Sequence, residues 1–169
     1  MTLQVPTKGW KMASQDELLQ RLARLEAIEE IYRLKSQYCA YADDNFNPDG
    51  IASLFTEDAV WDGETFGRYV GREAIRRHFK EDAGDFVFCA HLAMNPIIDI
   101  DGPDSARGKW RLIMPATMLA NGEKEARWFL CGYDEEYKRV GGKWLFKSIK
   151  CHVNFFSPHR TAWAETAVP

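Results

Sequence analysis

Apolar residues recur three or four positions apart from Leu18 through Leu22, Leu25, Ile28, Ile31 and Leu34 to Tyr38 and Tyr41, while Glu26, Glu29, Glu30, Arg33 and Lys35 fall between them. That spacing predicts a long amphipathic helix with one core-facing stripe. Ser14 followed by Glu17 supplies a capping box at its start. Asn45, Asn47, Pro48 and Gly50 break the period, Ile51, Leu54 and Phe55 predict a short second helix, and Ala59-Val60-Trp61 opens a strand. Gly71 precedes a third helix from Arg72 to about Lys80, with Ile75 and Phe79 inward.

Beyond Asp85 the period shortens to that of strands. Phe86 to Met94 and Ile97 to Ile100 form an extended stretch bent at Asn95-Pro96, and Asp101 to Asp104 is a turn. Ala106, Gly108, Trp110, Leu112 and Met114 alternate with Arg107, Lys109 and Arg111. Another strand spans Arg127 to Arg139, and Gly141-Gly142 turns it into Lys143 to Phe156. Long strands joined by tight turns, with the helices segregated before them, predict an α+β fold whose sheet is strongly curved and mostly antiparallel. On the last strand, simple alternation puts Trp144, Phe146 and Phe156 on one face and Leu145, Ile149, Val153 and Phe155 on the other, so the outer face is expected to meet another subunit. The chain divides into an N-terminal arm over 1–14 that holds Trp10, one domain over 15–160 and a tail over 161–169.

Composition narrows the partners. A chain of 169 residues with 46% hydrophobic content buries roughly 68 to 70% of its unfolded surface in a single core. The net charge is −3, from 22 basic and 25 acidic residues without a long basic run, so nucleic acid and anionic membranes are not expected partners. No secretory apolar run and no membrane span is found, which makes the cytoplasm the expected location. Cys39, Cys89, Cys131 and Cys151 lie far apart with no CxxC and read as free, buried thiols.

The segment Tyr38-Cys-Ala-Tyr-Ala-Asp-Asp44 places two phenols and two carboxylates at the end of the first helix. A helix C-terminus already carries negative partial charge, so a carboxylate there needs a cation or a proton donor beside it. His91, inside a run of small and apolar residues, reads either as a core histidine or as an acid–base group. Lys150 and His152 alternate with Ser148 and Asn154, a polar row that either lines a cavity or rims a subunit contact. His78 and His159, beside Arg77, Lys80 and Arg160, read as surface groups. No metal-ligand spacing, phosphate loop or GxSxG elbow is present, so neither metal nor cofactor is expected. Phe86, Phe88, Trp110, Met114, Phe129 and Tyr133 offer aromatic and thioether surface for a small apolar, ring-bearing substrate.

Taken in order, Ile28-Glu-Glu-Ile-Tyr-Arg-Leu-Lys-Ser-Gln-Tyr-Cys-Ala-Tyr-Ala-Asp43, Leu54-Phe-Thr-Glu-Asp-Ala-Val-Trp61, Gly71-Arg-Glu-Ala-Ile75, His91, Ala106-Arg-Gly-Lys-Trp110 and Tyr133-Asp-Glu-Glu-Tyr137 before Trp144 resemble a SnoaL-like domain of the NTF2-like superfamily. The pattern is most similar to the branch of scytalone dehydratase, bile acid 7α-dehydratase and hexachlorocyclohexane dehydrochlorinase. The resemblance implies a cone-shaped α+β barrel and a homo-oligomer, a trimer in preference to a dimer. It also implies elimination without a cofactor by an Asp–His pair, matched here by Asp43 and His91, with Tyr38 as a hydrogen-bond donor. Tyr41, Trp61, Trp110, Phe129, Lys150 and His152 are then expected to line the substrate pocket. The late arginine of relatives has no clear counterpart among Ile149 to His152. The wider fold also implies other readings: the noncatalytic small subunit of a ring-hydroxylating dioxygenase, an isomerase of the ketosteroid kind, or an epoxide hydrolase.

Overall fold

Helix α1 (Gln15–Asp43) starts in the predicted capping box, where the Glu17 N–H donates to Ser14 Oγ at 3.2 Å and the Ser14 N–H donates to the Glu17 carboxylate at 2.6 Å. The computed structural model describes residues 13–81, 85–161 and 163–164; most of the expected arm, with Trp10, and most of the expected tail lie outside the described residues. α1 enters the core only from Ala27 onward, through Ile31, Leu34, Tyr38, Cys39 and Ala42. Leu18, Leu22 and Leu25, expected on the core stripe, are instead exposed by half or more. The periodicity is continuous, but the body of the protein reaches only the second half of the helix.

The chain then forms α2 (Pro48–Ser53), β1 (Phe55–Asp62), a 3-10 turn (Glu64–Phe66), β2 (Arg68–Val70), α3 (Arg72–Glu81), β3 (Phe86–Cys89), β4 (Leu92–Gly102), β5 (Ser105–Ala120), β6 (Glu123–Val140) and β7 (Lys143–Pro158). Asn47 caps α2 by accepting from the Gly50 N–H at 2.9 Å. The helix closes at Ser53, and Phe55, expected within it, opens β1. Seven strands make one sheet in the order β2-β1-β7-β6-β5-β3, with β4 also on β5. The β1–β7 pair is parallel and the other pairs are antiparallel. The architecture is α+β, with helices on a curved sheet, but the described strands leave free edges and do not close into a barrel. No helix among the described residues is long and apolar enough to cross a membrane.

Two irregularities in β7 overturn the two-faced reading of that strand. Tyr137 pairs with Phe146 but Glu136 with Ser148, and Cys131 pairs with Val153 but Leu130 with Phe155, so Lys147 and Asn154 are extra residues. Each extra residue reverses the alternation beyond it. Phe146, Ile149, Cys151, Val153 and Phe156 consequently all share the core side, opposite Tyr137, Glu135, Tyr133, Cys131 and Phe129. The outer side keeps Leu145, Ser148, Lys150, His152 and Phe155.

Lys35 is the second correction. Placed on the polar side by its charge, it is 1% exposed and its ammonium meets Glu135 Oε1 at 2.5 Å, on a carboxylate that is equally enclosed. Tyr137 donates its hydroxyl to the other Glu135 oxygen, and Trp110 Nε1 donates to Tyr137 at 2.9 Å. The Lys35 ammonium also stands 3.7 Å from the centre of the Tyr133 ring.

All four cysteines are free and buried. Burial, followed by the neighbouring Asp43 charge, pushes the Cys89 thiol up to about 12, and burial raises Cys39 as well. Thiolate is the reactive form. Titration of the native protein with a chromogenic disulfide near neutral pH is expected to find Cys39 and Cys89 unreactive until guanidinium exposes all four thiols. Rapid modification of either cysteine in the folded chain would contradict this.

Candidate active site

Asp43 is the last residue of α1, and the donors it needs come from one residue of the sheet. β3 and β4 hold a common register on β5, from Cys89 opposite Ala116 to Leu92 opposite Ile113, but regular strand structure lapses at Ala90 and His91. Ala90 still donates to the Pro115 carbonyl of β5, so the N–H of the next residue, His91, points to the free edge and not into the sheet. It donates instead to both Asp43 oxygens, at 2.9 and 3.1 Å, while His91 Nδ1 lies 2.7 Å from Asp43 Oδ1. An ionised carboxylate only accepts, so Nδ1 carries the proton of this bond and Nε2 is left as the basic nitrogen. The His91 side chain is 7% exposed and that of Asp43 34%, so the imidazole is enclosed while its carboxylate keeps one edge to water.

His91 forms part of the wall of a cavity of about 360 Å³ whose lining is mostly aromatic. Phe46, Phe79, Phe86, Phe129 and Phe156 are among its rings, with Met114 beside them. Phe46 reaches in from the turn after Asp43, where its φ of 50° is uncommon for a bulky residue. Its ring stacks on Phe79 at 6.1 Å and meets His91 edge-on at 6.0 Å. The 3-10 turn covers another side: Glu64 accepts from the Val153 N–H at 2.6 Å, and Phe66 packs edge-to-face on Phe129. A Cβ on Gly63 would stand 2.4 Å from the Trp61 ring, so glycine is what lets the turn lie this close.

Tyr38 and Trp61 meet at the cavity wall, where Trp61 Nε1 donates to the Tyr38 hydroxyl at 3.1 Å. Burial, only partly offset by that bond, raises the Tyr38 phenol well above its ordinary value. It therefore remains a neutral donor whose O–H is polarised by the bond it accepts. Tyr133, another wall residue, is likewise raised by burial and then by the adjacent Cys131.

Of the expected pocket residues, Trp61 and Phe129 lie in this lining. Tyr41 does not; although it is three positions from Tyr38 on α1, its ring covers Gly50 of α2 instead. Trp110 is buried beside Tyr32 and Tyr137, away from the cavity. Lys150 and His152 stand on the outer side of the sheet, where His152 Nε2 is 2.9 Å from Asp134, so the polar row belongs to that surface. His78, read as a surface group, instead lines the cavity from α3. Its position three residues after Ile75 and one before Phe79, the two inward residues of the helix, was the signal available; its basic neighbours concealed it.

Among the described residues, Asp43, Cys89 and His91 form one group of possible metal donors, with one ligand atom from each within 4.8 Å of the others. Their hydrogen bonds run within the protein: both Asp43 oxygens accept from His91, and the protonated Cys89 thiol donates to the Ala42 carbonyl at 3.6 Å, while His91 Nε2 is left over. The donor set thus has the chemistry of a hydrogen-bonded dyad with a thiol behind it.

Helices laid on one face of a curved sheet, with an aromatic cavity between them, make the NTF2-like fold, and a solved NTF2-like protein with a cystatin-like fold from Novosphingobium aromaticivorans aligns with a TM-score of 0.67, at 21% identity over 85% of this chain and 92% of that one. The chain belongs to the SnoaL-like domain family, whose model matches residues 23–150. It is 25% identical, over 83% of its length and 86% of the relative, to the gamma-hexachlorocyclohexane dehydrochlorinase of Sphingobium indicum. A solved type 2 hexachlorocyclohexane dehydrochlorinase shares the fold with a TM-score of 0.75, at 22% identity over 82% of this chain and 92% of that one.

Proposed function

We propose that this chain is a cofactor-independent lyase of the dehydratase type, removing a proton and a hydroxyl or similar leaving group from a small apolar, ring-containing molecule. The observation that carries the reading is the Asp43–His91 bond at the wall of an aromatic cavity, which commits Nδ1 and leaves Nε2 for substrate. The dehydrochlorinase relative, whose name denotes an elimination, supports the same reaction class.

In this mechanism Asp43 holds the imidazole in one tautomer and stabilises the imidazolium that forms. His91 Nε2 takes a proton from a carbon made acidic by an adjacent carbonyl or ring. Tyr38 donates its hydroxyl to the oxygen on which charge develops, and the apolar walls keep water from weakening that bond. The electron pair of the C–H bond forms the new double bond as the leaving group departs. A panel of β-hydroxy ketones and hydroxylated ring compounds, followed by mass spectrometry for loss of water, tests the reading. Dehydration of at least one compound is expected; binding throughout the panel with no dehydration would overturn it.

We further infer a homo-oligomer, trimeric by resemblance, built on the outer side of the sheet. The support is the apolar group that survives there after the correction to β7: Leu92 and Ile97, both more than half exposed, near the half-buried Ile113, Leu130 and Phe155. Light scattering is expected to give a multiple of the 19.4 kDa chain; a monomer mass at micromolar concentration would refute it.

A further inference from the structure

The cavity holds a second imidazole. His91 enters from the junction of β3 and β4, and His78 enters from α3, on the wall formed with Trp61 of β1 and Tyr69 of β2. Tyr69 stacks on the His78 ring at 4.1 Å with the planes 15° apart, and Trp61 leans on it at 4.8 Å. A ring held by its face presents nitrogen at its edge, where hydrogen bonds form. His78 also abuts Phe79, which stacks on Phe46 beside His91, so the two imidazoles flank one pair of aromatic rings.

The elimination proposed above needs two proton transfers, and the base accounts for one. Hydroxide is a poor leaving group, so the departing oxygen must be protonated as its bond to carbon breaks. Among the described residues, no carboxylate lines the cavity. The lining phenols Tyr38 and Tyr133 and the thiol Cys151 are raised, and hold their protons tightly. Imidazole is the side chain suited to giving up and regaining a proton near neutrality, and the described lining residues include two.

We propose that His78 is the general acid of the reaction, donating a proton to the departing hydroxyl while His91 removes the proton from carbon; this rests on the elimination reading of the Asp43–His91 pair. The C–H bond breaks with its proton going to His91 Nε2, and its electrons form the carbon–carbon double bond. The C–O bond breaks with its electrons on oxygen, which takes the proton of the His78 imidazolium and leaves as water. His91 then returns a proton to solvent and His78 takes one up, so that the net change is loss of water without oxidation or reduction. Entry from separate walls lets the two groups act on opposite sides of a flat substrate.

The test uses leaving groups that differ in their need for a proton. A β-hydroxy ketone dehydrated by the wild-type protein is compared with its β-chloro analogue, which loses chloride as an anion, with background rates subtracted. His78→Phe keeps a ring against Tyr69 but has no proton to give, and His78→Gln is the polar control should the first variant fold poorly. The ratio of hydroxyl to chloride elimination is expected to fall ~10²-fold in both variants, whereas His91→Ala suppresses both reactions. Equal loss with the two substrates would make His78 a structural residue and overturn its role while leaving the Asp43–His91 base in place. Wild-type protein that eliminates neither group would overturn the elimination reading and the role of His78 with it.

Discussion

Replacing His91 by Ala is expected to lower kcat for a dehydrated substrate by ~10² to 10⁴. The loss follows from the geometry: the imidazole is the enclosed group of the dyad, and its Nε2 is the nitrogen left over by the 2.7 Å bond to Asp43. Asp43→Asn is expected to fall in the same range by a different route. An amide accepts through one oxygen only: with oxygen toward Nδ1 its NH2 group opposes the His91 backbone N–H, and in the flipped arrangement that conflict is relieved by turning NH2 toward Nδ1, which disfavours the tautomer with Nε2 free. Ligand binding should change little in either variant, since the phenylalanine, tyrosine and tryptophan rings of the wall are untouched. Single-turnover rates and ligand-induced quenching of tryptophan fluorescence separate the two effects. If His91→Ala retains near-full kcat, His91 is a core histidine that ties β4 to α1.

The largest expected loss of stability comes from the opposite end of the buried polar system. Lys35→Met should destabilise the protein by ~3 to 5 kcal/mol, because Glu135 would keep its charge in the core with only the Tyr137 hydroxyl to meet it. In a domain of this size that corresponds to a fall in Tm of roughly 6 to 20 °C. The double variant Lys35→Met with Glu135→Gln removes both charges, keeps an acceptor for Tyr137, and should recover a substantial part of the loss. Calorimetry on the single and double variants measures the coupling. A Lys35→Met protein that melts with the wild type would mean that Glu135 takes up a proton at little cost, and that the ion pair contributes nothing net.

These two sets of residues were not equally legible in the sequence. The order of helices and strands follows from periodicity and turn residues, and the position of Asp43 at a helix end already demanded a donor. His91 emerged as that donor through resemblance to a family, since the two residues stand 48 positions apart with no local signal to link them. Lys35 was misplaced because charge was taken as a guide to exposure; its partner Glu135 lies 100 positions away on β6. Ile149 and Val153 were assigned to the wrong side of β7 because the extra residues Lys147 and Asn154 leave no mark in the alternation until the partner strand is known. Phe46 was hidden in a segment whose Asn, Pro and Gly content announced a loop, and His78 behind arginine and lysine neighbours. Sequence separation, bulges and unusual backbone angles are where local reasoning loses the site.

The unequal burial of α1 also sets a gradient of rigidity along one continuous helix. From Gln15 to Glu26 the helix makes few of the contacts that ordinarily hold a short helix together in water, whereas Ile31 to Ala42 is locked into the core. Local opening therefore costs little at the capped end and approaches the cost of global unfolding near Asp43. Amide exchange should sharpen at about Ala27, fast before it and slow beyond it. The carboxylate that orients the imidazole is carried by the most slowly exchanging part of the helix, so fraying of the free turns is dissipated before it can disturb the 2.7 Å bond.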